Sequence, residues 1–186
     1  MKGEVQMIAS SYSRERRRAA VMLGVSSVGV LLLTALHHIY GARVYHTEWR
    51  SHVAFGALPS GAFIALSLFA STRYAERTLG RVALWSAIIA TAIVPVAGIG
   101  LFEGLYNHLL KNVLYFGGAN RELLMKLFPP PSYEMPNNWF FEVTGVLQFF
   151  ACLPAVYYGY VLLRKRAAAD RAANRAWSAP RRAAHW

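Results

Sequence analysis

Zinc, copper and iron accept imidazole and carboxylate side chains as ligands, and this 186-residue chain distributes such groups unevenly. Five of its six histidines, His37, His38, His46, His52 and His108, lie in the first 108 residues, and His185 stands apart near the C-terminus. Glu48, Glu103, Glu122, Glu134 and Glu142 are the carboxylates that the topology derived below places on the same side as those five histidines. The candidate ligands for a metal ion are His38, His52, Glu103 and His108, with His46, Glu142 and His37 as further members.

Helical geometry ranks them. Ser27, Thr34 and His38 are seven and four residues apart and form one polar stripe, which in an apolar helix turns inward. His37 is then about 100° round the same helix. Glu48 and His52 share a face if a helix begins before Trp49, leaving His52 at the mouth of the bundle. Glu103 and Asn107 share a face, but His108 lies about 140° from Glu103 in a regular helix. One ion could use both only with a bend near Gly104, or with ligands approaching from different sides. Glu142 begins a last helix that also carries the stripe Thr144, Gln148 and Cys152. Copper, zinc and non-haem iron suit this mixed His and Glu set better than haem b, which needs two histidines facing each other at one depth.

The elements that must position these groups are membrane spans. The chain is 55% hydrophobic and 16% charged, with mean hydropathy +0.28, well below the ~25% charge usual for a soluble globule. Four stretches, 19–40, 52–72, 81–101 and 139–163, reach the ~20 residues that cross a bilayer as helix, and none alternates as a barrel strand does. The first follows Arg14, Arg16, Arg17 and Arg18 but ends without a small-x-small cleavage pattern, so it is expected to be a retained signal anchor. Fifteen of the twenty Lys and Arg residues fall in 1–18, in the 73–81 turn and in 164–186, and five fall on the opposite side. The positive-inside rule therefore places both termini in the cytoplasm of a bacterial-type inner membrane. Aromatic belts agree: Tyr40, Tyr45, Trp49, Tyr106, Trp139 and Phe140 mark the outer boundary, and Tyr74, Trp85, Tyr157, Tyr158 and Tyr160 the inner.

The fold class expected is an all-α integral membrane protein: a four-helix bundle (19–163) between two basic cytoplasmic tails (1–18 and 164–186). Pro59, Pro95 and Pro154 interrupt spans, and the pairs Gly56/Ser60, Ala57/Gly61 and Gly100/Gly104 permit close helix approach. The one long connection is the outer loop 102–138. Within it Asn120 caps a short interfacial helix, 121–128, which ends at Pro129-Pro130-Pro131.

Soluble-type catalysis lacks its parts: there is no phosphate loop, dinucleotide fingerprint, C-x-x-C, haem-attachment motif or H-E-x-x-H. The net charge of +11 is a topology signal, with lipid contact by the tail as an addition, and nucleic acid is excluded as the expected partner. Three functions remain. The first is a His/Glu metal site at the periplasmic end, serving redox chemistry or metal handling, with a redox protein as its candidate partner. The second is an accessory subunit docking to partner membrane subunits through the outer loop. The third is a small transporter, for which the spans carry few polar groups at mid-depth.

Overall fold

The computed structural model describes residues 2–178; Arg181, Arg182 and His185 lie outside the described residues. Helix α1 (Lys2–Val44) leads through a 3₁₀ turn (Glu48–Arg50) into α2 (Ser51–Arg73). A short turn precedes α3 (Thr78–Phe116), then come the small helix α4 (Arg121–Leu127) and the long α5 (Trp139–Ser178). No strand occurs among the described residues. Segments Ser13–Val44, Glu48–Arg73, Thr78–Phe116 and Trp139–Arg171 are each long and apolar enough to cross a membrane.

The exterior supports a lipid environment. Phe55 is 73% exposed, and Leu66 and Phe69 are each 66% exposed. Side chains of that size, spread round a whole bundle, would be a large unfavourable area in water. The interior is more mixed. Leu23, Ile64, Leu84, Ala87, Ala155 and Leu162 pack the half near the 73–78 turn, and Val30, Ile99 and Cys152 form a second apolar layer above it. Between and beyond these layers the core is polar: Ser27 and Thr91 face each other at 3.3 Å, and Thr34 and Gln148 are fully buried.

Helix α1 is central, packing along α5 and α2; α5 packs along the upper half of α3, and α2 along its lower half. Three glycines allow the α3–α5 approach. A Cβ at Gly104 would collide with the backbone of Phe149, one at Gly100 with Cys152, and one at Gly145 with the ring of His108. Of the small-residue pairs expected to bring helices together, Gly100/Gly104 is thus used, and Gly61 meets Leu31 of α1, whereas Gly56 has no neighbour within 4 Å. In the α1–α5 pair, Gly41 meets Phe141 and Gly159 meets Leu23. That antiparallel register brings Thr34 level with Gln148, and neither side chain has a hydrogen-bond partner.

The third helix is longer than hydropathy suggests. Residues 102–116, expected to open the outer loop, continue the helix. Glu103, Asn107, His108 and Lys111 lower the local hydropathy there, yet they turn inward and leave an apolar surface outside. From Ala92 to Leu110 the winding is π-helical, with α-helix on both sides. Pro95 cannot donate to the carbonyl four residues back, which removes a restraint on the narrower winding. Side chains at Gly98 and Gly100 would stand only 3.3 Å from the carbonyl oxygens of Ile93 and Pro95, five residues earlier, so glycine accommodates the wider turn.

The short helix follows its sequence signals. The Asn120 side chain accepts from Leu123 N–H at 2.8 Å and caps α4, as the pattern predicts. Leu124 and Phe128 are buried, and Phe128 packs on Tyr106 and Tyr133 of the same chain.

Candidate metal centre

The π-helical winding decides the site. Its hydrogen bonds join residues five apart, so residues five apart come close to one face, where an α-helix would separate them by about 140°. Glu103 and His108 therefore both point to the bundle interior, and His108 Nε2 lies 3.5 Å from Glu103 Oε1. From α1, His37 Nε2 and His38 Nε2 approach the same oxygen at 3.6 and 3.7 Å. One carboxylate oxygen thus faces three imidazoles. His37, Glu103 and His108 offer ligand atoms that all lie within 4.8 Å of one another and could hold a metal ion. His38 stands beside them, outside that tightest set.

The spacing suits an ion. Two donors each about 2.0–2.1 Å from one tetrahedral zinc stand about 3.3–3.4 Å apart. The separations of 3.5–3.7 Å between Glu103 Oε1 and the ring nitrogens exceed those only slightly and are too long for direct hydrogen bonds, and the His37, Glu103 and His108 set as a whole lies within 4.8 Å. His37 Nε2 is buried without a hydrogen-bond partner, although a buried ring nitrogen ordinarily has one.

Neighbouring groups fix which nitrogen is available. Thr144 Oγ1 donates to the Phe140 carbonyl at 2.7 Å, so it accepts from His37 Nδ1–H at 3.0 Å. His37 is held as the Nδ1–H tautomer, with its Nε2 lone pair toward Glu103. Glu142 Oε2 accepts from His108 Nδ1 at 2.8 Å and directs the second Nε2 lone pair the same way. A carboxylate or hydroxyl behind the ring is the arrangement that orients metal-binding histidines. Asn107 Nδ2 donates to Glu103 Oε2 at 2.7 Å, leaving Oε1 as the inward atom. Phe141 stacks on His37 at 4.1 Å, and Gly145 lets the His108 ring lie against α5.

Two buried cations stand beside the cluster. Lys111 is 2% exposed; its Nζ donates to Glu142 Oε1 at 3.1 Å and to the Glu134 carbonyl at 2.6 Å. The Arg50 guanidinium bonds Glu134 Oε1 at 3.3 Å and lies 5.3–5.7 Å from the rings of Tyr45, Trp49 and Phe141. These bonds fasten the segment around Glu134 over the site. Tyr106 Oη donates to the Leu127 carbonyl at 2.8 Å, and Tyr45 Oη to Asn137 Oδ1 at 2.6 Å, completing the attachment. Burial, reinforced by the Glu142 and Glu134 carboxylates, pushes the Tyr45 phenol up to about 12. Burial also raises the Tyr133 phenol. Beneath this lid is a cavity of about 270 Å³ whose walls include His38, Glu103, His108, Lys111 and Arg50.

Of the seven residues singled out by sequence, five converge here: His37, His38, Glu103, His108 and Glu142. His37 is the more deeply enclosed of the adjacent pair and carries the oriented ring, whereas the stripe argument favoured His38. Glu142 supports His108 from behind and is turned away from the tight set. His46 and His52 are solvent-exposed and stand outside it. His46 has φ 54° and serves the α1–α2 turn, a conformation histidine tolerates better than most residues. His52 is among the cavity's lining residues, with its Nδ1 against the Trp49 carbonyl and its ring stacked on Trp49. Thr144, Asn107, Lys111 and Arg50 were not recognised as parts of the site. The signal for Lys111 was its spacing, three and four residues after His108 and Asn107.

No known family model matches the chain, and neither a curated protein nor a solved structure shows significant similarity to it.

Proposed function

We propose that this is an integral membrane metalloprotein with one transition-metal centre on His37, Glu103 and His108, near the outer face of a bacterial-type inner membrane. His38 is within reach as a fourth ligand. The observation that carries this reading is the orientation of two imidazoles, each held from behind at Nδ1, so that their Nε2 atoms both face Glu103 Oε1, at 3.6 and 3.5 Å. Two nitrogens and a carboxylate oxygen form the set used by catalytic zinc and by non-haem iron, and no cysteine among the described residues joins them to favour cuprous copper. Cys152 lies deeper, against Gly100, with its thiol directed to the Phe149 carbonyl.

The cavity beside Glu103 and His108 leaves a side from which a small molecule can approach, so the centre is suited to chemistry on a bound substrate. A conduit for metal ions fits less well. Below the cluster the core closes with Val30, Ile99 and Cys152, then Leu23, Ile64 and Leu162, none of which could pass a hydrated ion. Haem b fits less well too: His37 and His108 have ring centroids only 4.7 Å apart and edge-on, and the packing of Phe141 and Gly145 leaves no slot for a porphyrin between them. The docking-subunit reading places its surface on the outer loop, where Leu124 and Phe128 are covered by the chain itself and Leu123 and Met125 remain exposed.

The test is elemental analysis of protein purified in mild detergent, with zinc, iron and copper counted per chain. About one ion is expected, lost in Glu103→Gln and His108→Ala variants that keep their helical circular dichroism. Metal-free protein that also fails to bind added zinc or ferrous iron would overturn the reading.

A further inference from the structure

The charges around the cluster do not balance, and the imbalance specifies a ligand. Arg50 is paired with Glu134 at 3.3 Å and Lys111 with Glu142 at 3.1 Å. Among the described residues, the ion-pair partners of Glu103 are three imidazoles and nothing else. With the histidines neutral, as ligation requires, the enclosed group carries one excess negative charge, on Glu103. A divalent ion on that carboxylate converts the excess to one positive charge. Buried net charge is costly in a low-dielectric interior, more so within a membrane, and a bound counter-ion relieves it.

The cavity lies where that counter-ion is needed. Glu103 and His108 form part of its wall, and so do Arg50 and Lys111, which are 5% and 2% exposed. At about 270 Å³ it exceeds the ~150 Å³ cavity that holds benzene, so it admits a small organic molecule of about ten heavy atoms. Both cations are held in place by the lid segment through Glu134 and stay in the cavity wall.

We infer that the metal centre takes a small monoanionic ligand such as a carboxylate from the cavity side, drawn by the uncompensated positive charge of the metal, with Arg50 and Lys111 in the wall beside it. This rests on the metal reading above and names the substrate class for it. A neutral molecule of the same size leaves the positive excess uncompensated and binds more weakly.

Cobalt(II) provides the test, since its visible bands report changes in its ligands. The full-length protein in detergent is loaded with cobalt and titrated with formate, and in parallel with formamide, an uncharged molecule of similar size. Formate is expected to shift the bands saturably and formamide to leave them unchanged. In Arg50→Gln protein that still holds cobalt, the formate dissociation constant should rise about tenfold. Cobalt uptake without any response to formate, or an equal response to formamide, overturns the anion site while leaving the metal centre intact. Failure to take up cobalt defeats the metal centre itself and the anion site with it. Because the wild-type titrations decide the matter alone, poor folding of the Arg50 variant does not leave it open.

Discussion

Replacing Gly145 by alanine puts the closeness of α3 and α5 to a direct test. In an exposed helix the change would gain about 1 kcal/mol, because alanine has the higher helix propensity. Here the new methyl would overlap three atoms of the His108 ring. Overpacking a fitted interior costs about 1–3 kcal/mol. Moving the ring also stretches the 2.8 Å bond from His108 to Glu142, and a hydrogen bond to a charged group contributes about 1.5–3 kcal/mol. The net expectation is a loss of about 2–4 kcal/mol, or about 5–10 °C in Tm for a chain of this size. Metal affinity should fall more steeply, by at least about tenfold, since a ligand is displaced. Gly29→Ala is the control: nothing lies within 4 Å of its added methyl, and it should be neutral or stabilising. Thermal unfolding in detergent and cobalt titration of both variants give the answer. Gly145→Ala protein with wild-type Tm and wild-type cobalt affinity would refute the packing argument and the placement of His108 with it.

Thr144→Val removes the acceptor that fixes the His37 tautomer, so metal affinity should drop about 10–100-fold, whereas Thr144→Ser should restore it; equal affinities in all three proteins would dismiss the role. The Tyr45 phenol, raised from 10.0 to about 12, contributes stability fully present below pH 10 and lost as pH climbs through 12. Proteolysis of the lid segment should quicken over that interval in the wild type, and the quickening should be reduced in Tyr45→Phe; an identical pH profile in the variant would contradict this. For topology, a membrane-impermeant maleimide should label Ser132→Cys in intact cells and Glu76→Cys only after permeabilisation. The reverse pattern would invert the orientation.

Much of the architecture was legible because hydropathy and helix length are averages over twenty residues and tolerate local exceptions. The Asn120 cap and the start of α5 beside Trp139 follow from local chemistry in the same way. The site was half legible. Sequence identified Glu103 and His108 but set them on different faces of a regular α-helix unless a bend near Gly104 joined them; the π-helical winding that does join them begins upstream, where Pro95, Gly98 and Gly100 read equally well as a kink and a packing stripe. The choice between His37 and His38 turned on Thr144, 107 residues away from His37, which no local pattern could reveal. Lys111 and Arg50 were counted as topology charges because a cation near a span end usually reaches water, and only the surrounding carboxylates explain why these two stay inside.

The packing also divides evolutionary freedom unevenly. Helices α1, α3 and α5 contribute every group of the cluster, and at 100, 104 and 145 they tolerate nothing larger than a hydrogen atom facing the neighbour. Helix α2 contributes no ligand; Arg50, the residue just before it, holds the lid. Random mutagenesis would accordingly find α2 permissive to almost any greasy replacement on its outward side, with intolerance confined to inward residues such as Ala57, Ile64 and Leu68, so that this is the crossing where natural variants can accumulate.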